Sequence, residues 1–472
     1  MTIFGHHIST RTSILVTVDL FVFYVVLRFI EEIPACSQCF VQSNIHLNPS
    51  TTLILAGLLI LTVASVGLYN EGLSRSFGNA AKQFLFTWQF LLVSFGLTFA
   101  LTKIAPGFPF GWLAVALAGG LAAFVMVLFA LRALVTWCMD LPFMKKRILV
   151  LGAGPGAEAL GEFLSGPGRR HFVQVQSGPS WQLAENAMPQ IGNVVLALPL
   201  SERGSLLRFA QLLRVEEIVV VADDRREFPA AELIDCKLQG ISVVDALTFW
   251  EREAGVIEAS QVAPEWLAFA SGFPSNQPHR ILKRAVDLVI SASFLLLVLP
   301  LCGLVALAIK LESRGPVFYR QERVGLNGRV FRLWKFRSMR ADAEKDGTPQ
   351  WAASVDSRVT RVGRIIRLLR IDEIPQVINV LSGDMSFIGP RPERPFFVDQ
   401  LRELLPNYDL RHRVRPGITG WAQVNYPYGA SVEDARRKLA YDLFYLKKND
   451  VLLDLAILMQ TVRVVLFAQG AR

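Results

Sequence analysis

Charge is scarce in this chain. Only 19% of its 472 residues are charged while 52% are hydrophobic, a balance that points away from an ordinary cytosolic domain and towards a membrane protein. Cysteine is scarce too, and five residues are too few for a disulfide framework. Cys36 and Cys39 form a CxxC, but no second pair completes a zinc site and no βαβ pattern precedes it. Whether the two pair is left open; a loop outside the cytoplasm would permit it. Also missing are a signal-peptide cleavage site of small residues, an internal repeat and any nucleic-acid reader motif. The net charge of +9 is therefore read as a match for anionic lipid and phosphate-bearing substrates, with no nucleic acid expected. No Ser–His or Cys–His nucleophile arrangement is present. His412, the only histidine after residue 281, reads as a surface residue rather than a base.

Long apolar runs are abundant. Stretches at roughly 13–30, 51–69, 84–101 and 111–137 approach or reach the ~20 residues that cross a bilayer core. Arg11, Arg75, Lys82, Lys145, Lys146 and Arg147 lie on one side of these spans, and Glu31 and Glu32 on the other. By the positive-inside rule both ends of a four-helix transmembrane domain over 1–144 face the cytoplasm. From Lys145 the texture changes. KKRILVLGAGPGAEAL (145–160), NVVLALP (193–199) and EIVVVADD (217–224) alternate with helical stretches, which predicts a Rossmann-like α/β domain over 145–261. Gly152, Gly154 and Ala157 fit a relaxed dinucleotide fingerprint, but the acid expected about 20 residues on is not evident. A packing turn between strand and helix is thereby favoured over a nucleotide site. Residues 262–280, rich in Pro, Ser and Asn, read as a linker.

The segment 285–309 is apolar and long enough to span. Lys283 and Arg284 precede it, and Lys310 and Arg314 follow it, so both flanks prefer the cytoplasmic face. Pro300 in the middle removes a helical hydrogen bond and favours a bend. A re-entrant helix satisfies both demands and keeps everything downstream in the cytoplasm. Residues 451–467, apolar but broken by Asp454, Gln460 and Arg463, read as interfacial.

The densest chemistry lies between Lys335 and Val424, in KFRSM (335–339), IDEIPQ (371–376), GDMSFIGPRP (383–392) and RPGITGWAQV (415–424). Val362, Ile365, Ile366 and Leu369 predict an amphipathic helix over 360–370. Arg358, Arg361, Arg364, Arg367 and Arg370 recur every third residue, a spacing that fans out, so one or two at most face one ligand. A second helix follows, with Asp372 at its N-cap and Glu373 in its first turn. Ordinary capping explains an isolated Asp-Glu. Beside Arg367, Arg391 and Lys335, however, the pair suits nucleophilic or electrostatic work on phosphorus and a shared Mg²⁺. Trp421 reads as core packing or, alternatively, a platform for a base or sugar. Asp384 reads as a loop residue at a helix end.

In these motifs the C-terminal part, 281–472, closely resembles the bacterial sugar transferases, the monotopic phosphoglycosyl transferases. The whole layout is similar to their large members of the exopolysaccharide type, with YGASVEDARRKLAYDLFYLKK (428–448) resembling that branch. The resemblance implies a mainly helical monotopic catalytic domain on the cytoplasmic face of the bacterial inner membrane. It implies transfer of a sugar-1-phosphate from a UDP-sugar to polyprenyl (undecaprenyl) phosphate, releasing UMP and depending on Mg²⁺. Asp372 then corresponds to the nucleophile that forms a phospho-sugar adduct, and Glu373 to its metal-holding neighbour. Lys335, Arg337, Arg367, Pro390, Arg391, Pro392 and Gln423 correspond to substrate-binding positions. Partners consistent with the resemblance are membrane lipid, a second copy of the chain and polysaccharide-assembly proteins. Two departures stand out: Leu299–Pro300 replaces the family's frequent Ser-Pro, and Tyr426–Pro427 replaces Gly-Arg. Rival readings are a non-catalytic membrane scaffold and a one-step transfer without a covalent adduct.

Overall fold

The computed structural model describes chiefly residues 146–152, 155–165, 172–176, 205–221, 229–259, 277–340, 358–427 and 431–466, with a few short pieces besides. The four expected spans (apart from a few residues of the first), Cys36 and Cys39, Gly154 and most of 262–276 lie outside the described residues. Two compact units divide at residue 249/250.

In the first unit, β1 (Lys146–Leu151), α1 (Pro155–Ser165), β2 (Phe172–Gln176), α2 (Ser205–Leu212), β3 (Glu217–Val220), α3 (Ala230–Leu238) and β4 (Ser242–Asp245) alternate, and α4 (Ala246–Ala254) follows. The strands pair in the order β2-β1-β3-β4, every pair parallel. Consecutive residues of β1 and β3 are buried, Ile148, Leu149 and Val150 in one and Ile218, Val219 and Val220 in the other. Parallel strands covered on both faces give such unbroken apolar runs. Helices α2 and α3 close one face, where Leu206, Phe209 and Cys236 meet Leu149 and Ile218. Gly152 is fixed by packing: at φ +139°, a Cβ there would stand 1.9 Å from the Val221 carbonyl oxygen. The close approach is to the backbone just after β3, so a side chain is excluded there by the neighbouring strand. Within the expected strand 193–199, Val194–Val195 pair antiparallel with Gln190–Ile191 and do not join the four-stranded sheet.

The second unit is built on α5 (Gln277–Glu312), a continuous run of 36 residues that begins inside the stretch read as linker. It is the one helix among the described residues long and apolar enough to cross a membrane. Leu296, Leu297, Leu299, Leu304 and Leu307 around Pro300 are exposed, whereas both ends are fastened to the same unit. Towards the N-terminal end, Arg284 donates to the carbonyls of Val380 (2.6 Å) and Leu381 (3.1 Å). Buried Asp287 accepts from Ser386 Oγ and the Phe387 N–H, each at 3.0 Å. Towards the C-terminal end, Val305 and Ile309 pack with Phe336 and Ile366, and Glu312 accepts from the N–H groups of Arg361 and Val362 at 2.7 and 3.0 Å.

The rest of the unit fills the space between those ends. An antiparallel hairpin joins β5 (Phe318–Val324) to β6 (Val330–Phe336). Then come α6 (Arg361–Leu368), a 3-10 turn (Ile371–Gln376), α7 (Val377–Ser382), β7 (Ser386–Ile388), α8 (Pro395–Leu404), β8 (Gly417–Thr419), α9 (Trp421–Asn425), α10 (Val432–Lys448) and α11 (Val451–Leu466). Strands β7 and β8 pair in parallel. Thr360 caps α6, its hydroxyl accepting from the Gly363 N–H at 2.9 Å. The apolar stripe expected on α6 is only half buried: Ile366 is 3% exposed but Ile365 58% and Leu369 56%. Helix α11 falls short of membrane-spanning length and turns Leu453 and Ile457 inward.

Candidate active site

The 3-10 turn 371–376 carries the acid pair. Asp372 does not cap a helix as its spacing predicts; it lies within the turn, which Arg370 opens in the left-handed region (φ 53°). Pro375 has no N–H for a bond back to residue 371, and it disfavours α geometry at the residue before it. The chain accordingly takes the tighter turn, and its Glu373 N–H donates to the Arg370 carbonyl at 3.2 Å.

Three cations converge on Glu373. Arg391 Nη2 stands 2.6 Å from Oε1, Lys335 Nζ 3.1 Å from the same oxygen and Arg370 Nη1 3.9 Å from Oε2. Burial alone raises this carboxyl's pKa, but Arg391 and Lys335 outweigh it and hold the acid well below the usual carboxylate range. Asp372, 9% exposed, makes no ion pair among the described residues. Burial raises its pKa, aided by the Glu373 charge and opposed by Lys335, Arg367 and Arg391. One turn thus holds two unlike acids: a charge-neutralised Glu373 and a buried, more basic Asp372. Neighbouring carboxyls pushed apart in this way divide into distinct roles.

Each of the other expected site residues has a definite place. Lys335, on β6, and Arg391 reach the acid pair. Arg391 is presented by a buried Pro390–Pro392 frame, where the Pro390 carbonyl accepts from the Gly417 N–H at 2.9 Å. The approach is tight at Gly389, where a Cβ would stand 2.3 Å from the Arg415 carbonyl oxygen. Arg367 acts on Asp372 through its charge. Of the arginine series, Arg367 and Arg370 serve the pair, while Arg361 and Arg364 are exposed. Gln423 donates through Nε2 to the Ile418 carbonyl at 3.0 Å.

Arg337 is not part of this cluster. It is 6% exposed and donates to the carbonyls of Arg314 (3.0 Å) and Ser313 (2.9 Å) and to Ser313 Oγ (2.9 Å). A further contact to the Ile309 carbonyl in the last turn of α5 (3.5 Å) lets this cation cap the C-terminal end of that helix together with the two residues that follow it. Arg337→Met should destabilise the C-terminal unit by about 2–3 kcal/mol, because several charge-assisted hydrogen bonds made by a buried guanidinium are lost. Thermal unfolding in detergent checks this, and an unchanged midpoint would remove the capping role.

Three further residues depart from expectation or settle an alternative. His412 is buried rather than on the surface, and burial followed by the Arg411 charge lowers its pKa to about 4, so it is neutral at physiological pH. Trp421 packs: its ring stacks on Phe444 at 5.8 Å and its Nε1–H donates to the Gly255 carbonyl at 2.8 Å. Asp384 stays in its loop, accepting from Ser382 Oγ at 2.9 Å.

Above the turn opens a cavity of about 710 Å³. Ile290, Phe294, Leu458 and Val464 form an apolar wall, and Glu373, Arg391 and Arg370 stand at its charged end. Lys438, Asp442 and Arg411 also line it; the first two lie in the run 428–448 that carries the resemblance, but none of the three is among the expected site residues. Lys438 and Asp442 sit four apart on α10, a helical spacing that puts them on one face, and that was the available signal. Among the described residues no group of three or more acidic, His or Cys side chains is placed to hold a metal. Two adjacent carboxylates, Asp372 and Glu373, are the kind of donor set that magnesium takes together with phosphate oxygens and water, and here Glu373 already faces Lys335, Arg370 and Arg391.

A buried acid pair faced by cations thus lies below a mostly apolar cavity, beside the one described helix of membrane-spanning length. The chain belongs to the bacterial sugar transferase family, which residues 278–468 match. A UDP-glucose:undecaprenyl-phosphate glucose-1-phosphate transferase of Klebsiella pneumoniae is 32% identical over 389 residues, covering 81% of this chain and 79% of the relative. A UDP-N-acetylgalactosamine-undecaprenyl-phosphate N-acetylgalactosaminephosphotransferase of Aeromonas hydrophila is 43% identical over 257 residues, 54% of this chain and 60% of the relative. A UDP-glucose:undecaprenyl-phosphate glucose-1-phosphate transferase of Escherichia coli K12 is 44% identical over 191 residues, 40% of this chain and 41% of the relative. The chain spans about half the length of the last two.

Proposed function

We propose that the chain transfers a sugar-1-phosphate from a UDP-sugar to polyprenyl phosphate, releasing UMP and starting a lipid-linked glycan such as an exopolysaccharide. The observation that carries this reading is the pairing of buried Asp372 with a Glu373 held by Lys335, Arg391 and Arg370. A scaffold needs no such arrangement. The relatives' names, all transfers of a sugar phosphate to undecaprenyl phosphate, support the same substrates here.

Arg391, Arg370 and Lys335 draw the donor's diphosphate to the turn, and Arg367 adds charge beside Asp372. An Asp372 carboxylate oxygen attacks the sugar-bearing phosphorus. The phosphorus–oxygen bond to UMP breaks, and UMP leaves with the bonding pair. An oxygen of polyprenyl phosphate then attacks the same phosphorus, the bond to Asp372 breaks, and the free carboxylate returns. Two steps avoid bringing two anionic phosphates together at once. Preorganised cations supply stabilisation where charge accumulates. A magnesium ion held by Asp372 and Glu373 would neutralise diphosphate charge when bound.

The apolar wall from α5 and α11 suits the prenyl chain. We read α5 as re-entrant at the cytoplasmic face of the inner membrane. At 1.5 Å per residue its 36 residues would run about 54 Å if straight, against a core of about 30 Å, while both ends are tied to one unit. Four spans over 1–144, a Rossmann-like domain over 145–261, which the parallel sheet supports, and a catalytic domain over 281–472 complete the arrangement. Self-association and contact with polysaccharide-assembly proteins are compatible with it. The test is UMP release from a panel of UDP-sugars by purified full-length protein with undecaprenyl phosphate and Mg²⁺. Release that requires both lipid phosphate and one particular donor is expected. Silence across the panel from folded protein would overturn the reading.

A further inference from the structure

The cavity has three kinds of wall, and the proposed reaction uses two of them. Charge at Glu373, Arg391 and Arg370 serves the diphosphate, and the apolar side serves the lipid. The third wall is polar and comes from α9 and α10. Here Gln423 Oε1 is buried without a hydrogen-bond partner, and Asp442 faces the cavity with its Oδ2 2.8 Å from Arg411 Nη2 as an ion pair. Asp442 is 1% exposed. One helical turn before it, Lys438 faces the same cavity and donates to the Gly429 carbonyl at 2.8 Å. Nearby, Asp434 accepts from Tyr426 OH (2.9 Å), Ser431 Oγ (2.6 Å) and the Ser431 N–H (3.0 Å).

A buried acceptor without a donor, as at Gln423, is costly, and a ligand that brings one relieves that cost; a carboxylate such as that of Asp442 can accept further bonds besides its ion pair. A pyranose presents several hydroxyl donors on one face, whereas uracil presents a single ring N–H. The large aromatic best suited to stack a base, Trp421, is occupied by Phe444 and Gly255. We propose that Gln423, Asp442 and Lys438 bind the hydroxyl face of the transferred sugar, with Lys438 as the residue that discriminates among sugars. This rests on the UDP-sugar reading above.

The experiment uses full-length Lys438→Met, which keeps the aliphatic stem, and Lys438→Arg. The first arm measures steady-state kinetics with UDP-glucose, UDP-galactose and UDP-N-acetylgalactosamine. The second measures binding of UDP-sugar and of UMP in the Asp372→Asn background, which needs no turnover. For the best donor, Lys438→Met should raise KM and weaken UDP-sugar binding about tenfold, leave UMP binding unchanged and flatten the preference among donors. Lys438→Arg should recover part of the affinity with an altered preference. Equal weakening of UMP would assign the wall to the nucleotide and overturn the proposal, as would unchanged binding and preference. If the wild type turns over no donor but Lys438→Met still loses the sugar-dependent part of binding, the transfer reading fails and the subsite stands. A wild type that binds no UDP-sugar overturns both.

Discussion

Asp372→Asn should abolish UMP release, on the order of 10⁴-fold or more, as for removal of other nucleophilic-centre residues. Unlike most changes at a buried charged site, it should not weaken the fold. Burial raises the folded-state pKa of Asp372. A raised carboxyl pKa means that the folded protein holds its proton more tightly than the unfolded chain does. Ionisation therefore costs stability as pH rises from the ordinary aspartate value through the folded-state value. The amide never ionises, so the variant should melt no lower than wild type at neutral pH. Wild-type activity should fall on acidification at a pH displaced upward from the ordinary aspartate value, because a protonated Asp372 is no nucleophile. Loss of turnover together with a large drop in melting temperature would point instead to a structural acid. Near-normal turnover would remove Asp372 from the chemistry.

The heart of this site was legible because its residues lie in short dense motifs. Lys335, Glu373 and Arg391, up to 56 positions apart, meet within hydrogen-bonding distance. The three-residue spacing fans the arginines out: Arg367 and Arg370 stand near the acid pair, while Arg361 and Arg364 are exposed. Arg337 matches a substrate-binding position by resemblance alone; it follows strand β6, which ends at Phe336, and donates to the carbonyls of Ser313 and Arg314 instead of reaching Glu373. At Asp372 the helical pattern of 374–381 concealed a tighter start imposed by Pro375. On α6 the apolar spacing gave the helix but not its burial. Ile365 and Leu369 are exposed, as suits a helix whose apolar face meets lipid rather than a protein core. The parallel sheet of the first unit was readable from alternating apolar and helical stretches, although 193–199 paired elsewhere. Pairing between residues far apart in sequence leaves no local periodicity at all, and Arg411 and Asp442 belong to that class.

That pair gives the largest expected stability effect. Arg411 and Asp442 are 6% and 1% exposed. Arg411 also donates to Tyr408 OH at 2.7 Å and to the Arg391 carbonyl at 2.9 Å. Arg411→Met keeps much of the volume but strands a buried acid, a change that costs about 3–5 kcal/mol. The apparent melting temperature of the C-terminal unit should fall by about 10 °C. Burial pushes the Asp442 pKa up to about 6 even against the Arg411 charge, and without Arg411 it should rise further. Below pH 6 the acid is largely protonated in both proteins and needs no counter-cation. The charge part of the deficit should therefore be greatest above pH 6 and shrink on acidification. The double variant Arg411→Met/Asp442→Leu should recover much of the loss, since neutral packing often matches a buried ion pair. A deficit independent of pH, with no recovery in the double variant, would mean that Arg411 acts through Tyr408 and the Arg391 backbone. Activity should then fall with stability in both variants, because the Arg391 carbonyl loses its donor while the guanidinium beside Glu373 depends on that backbone for its position.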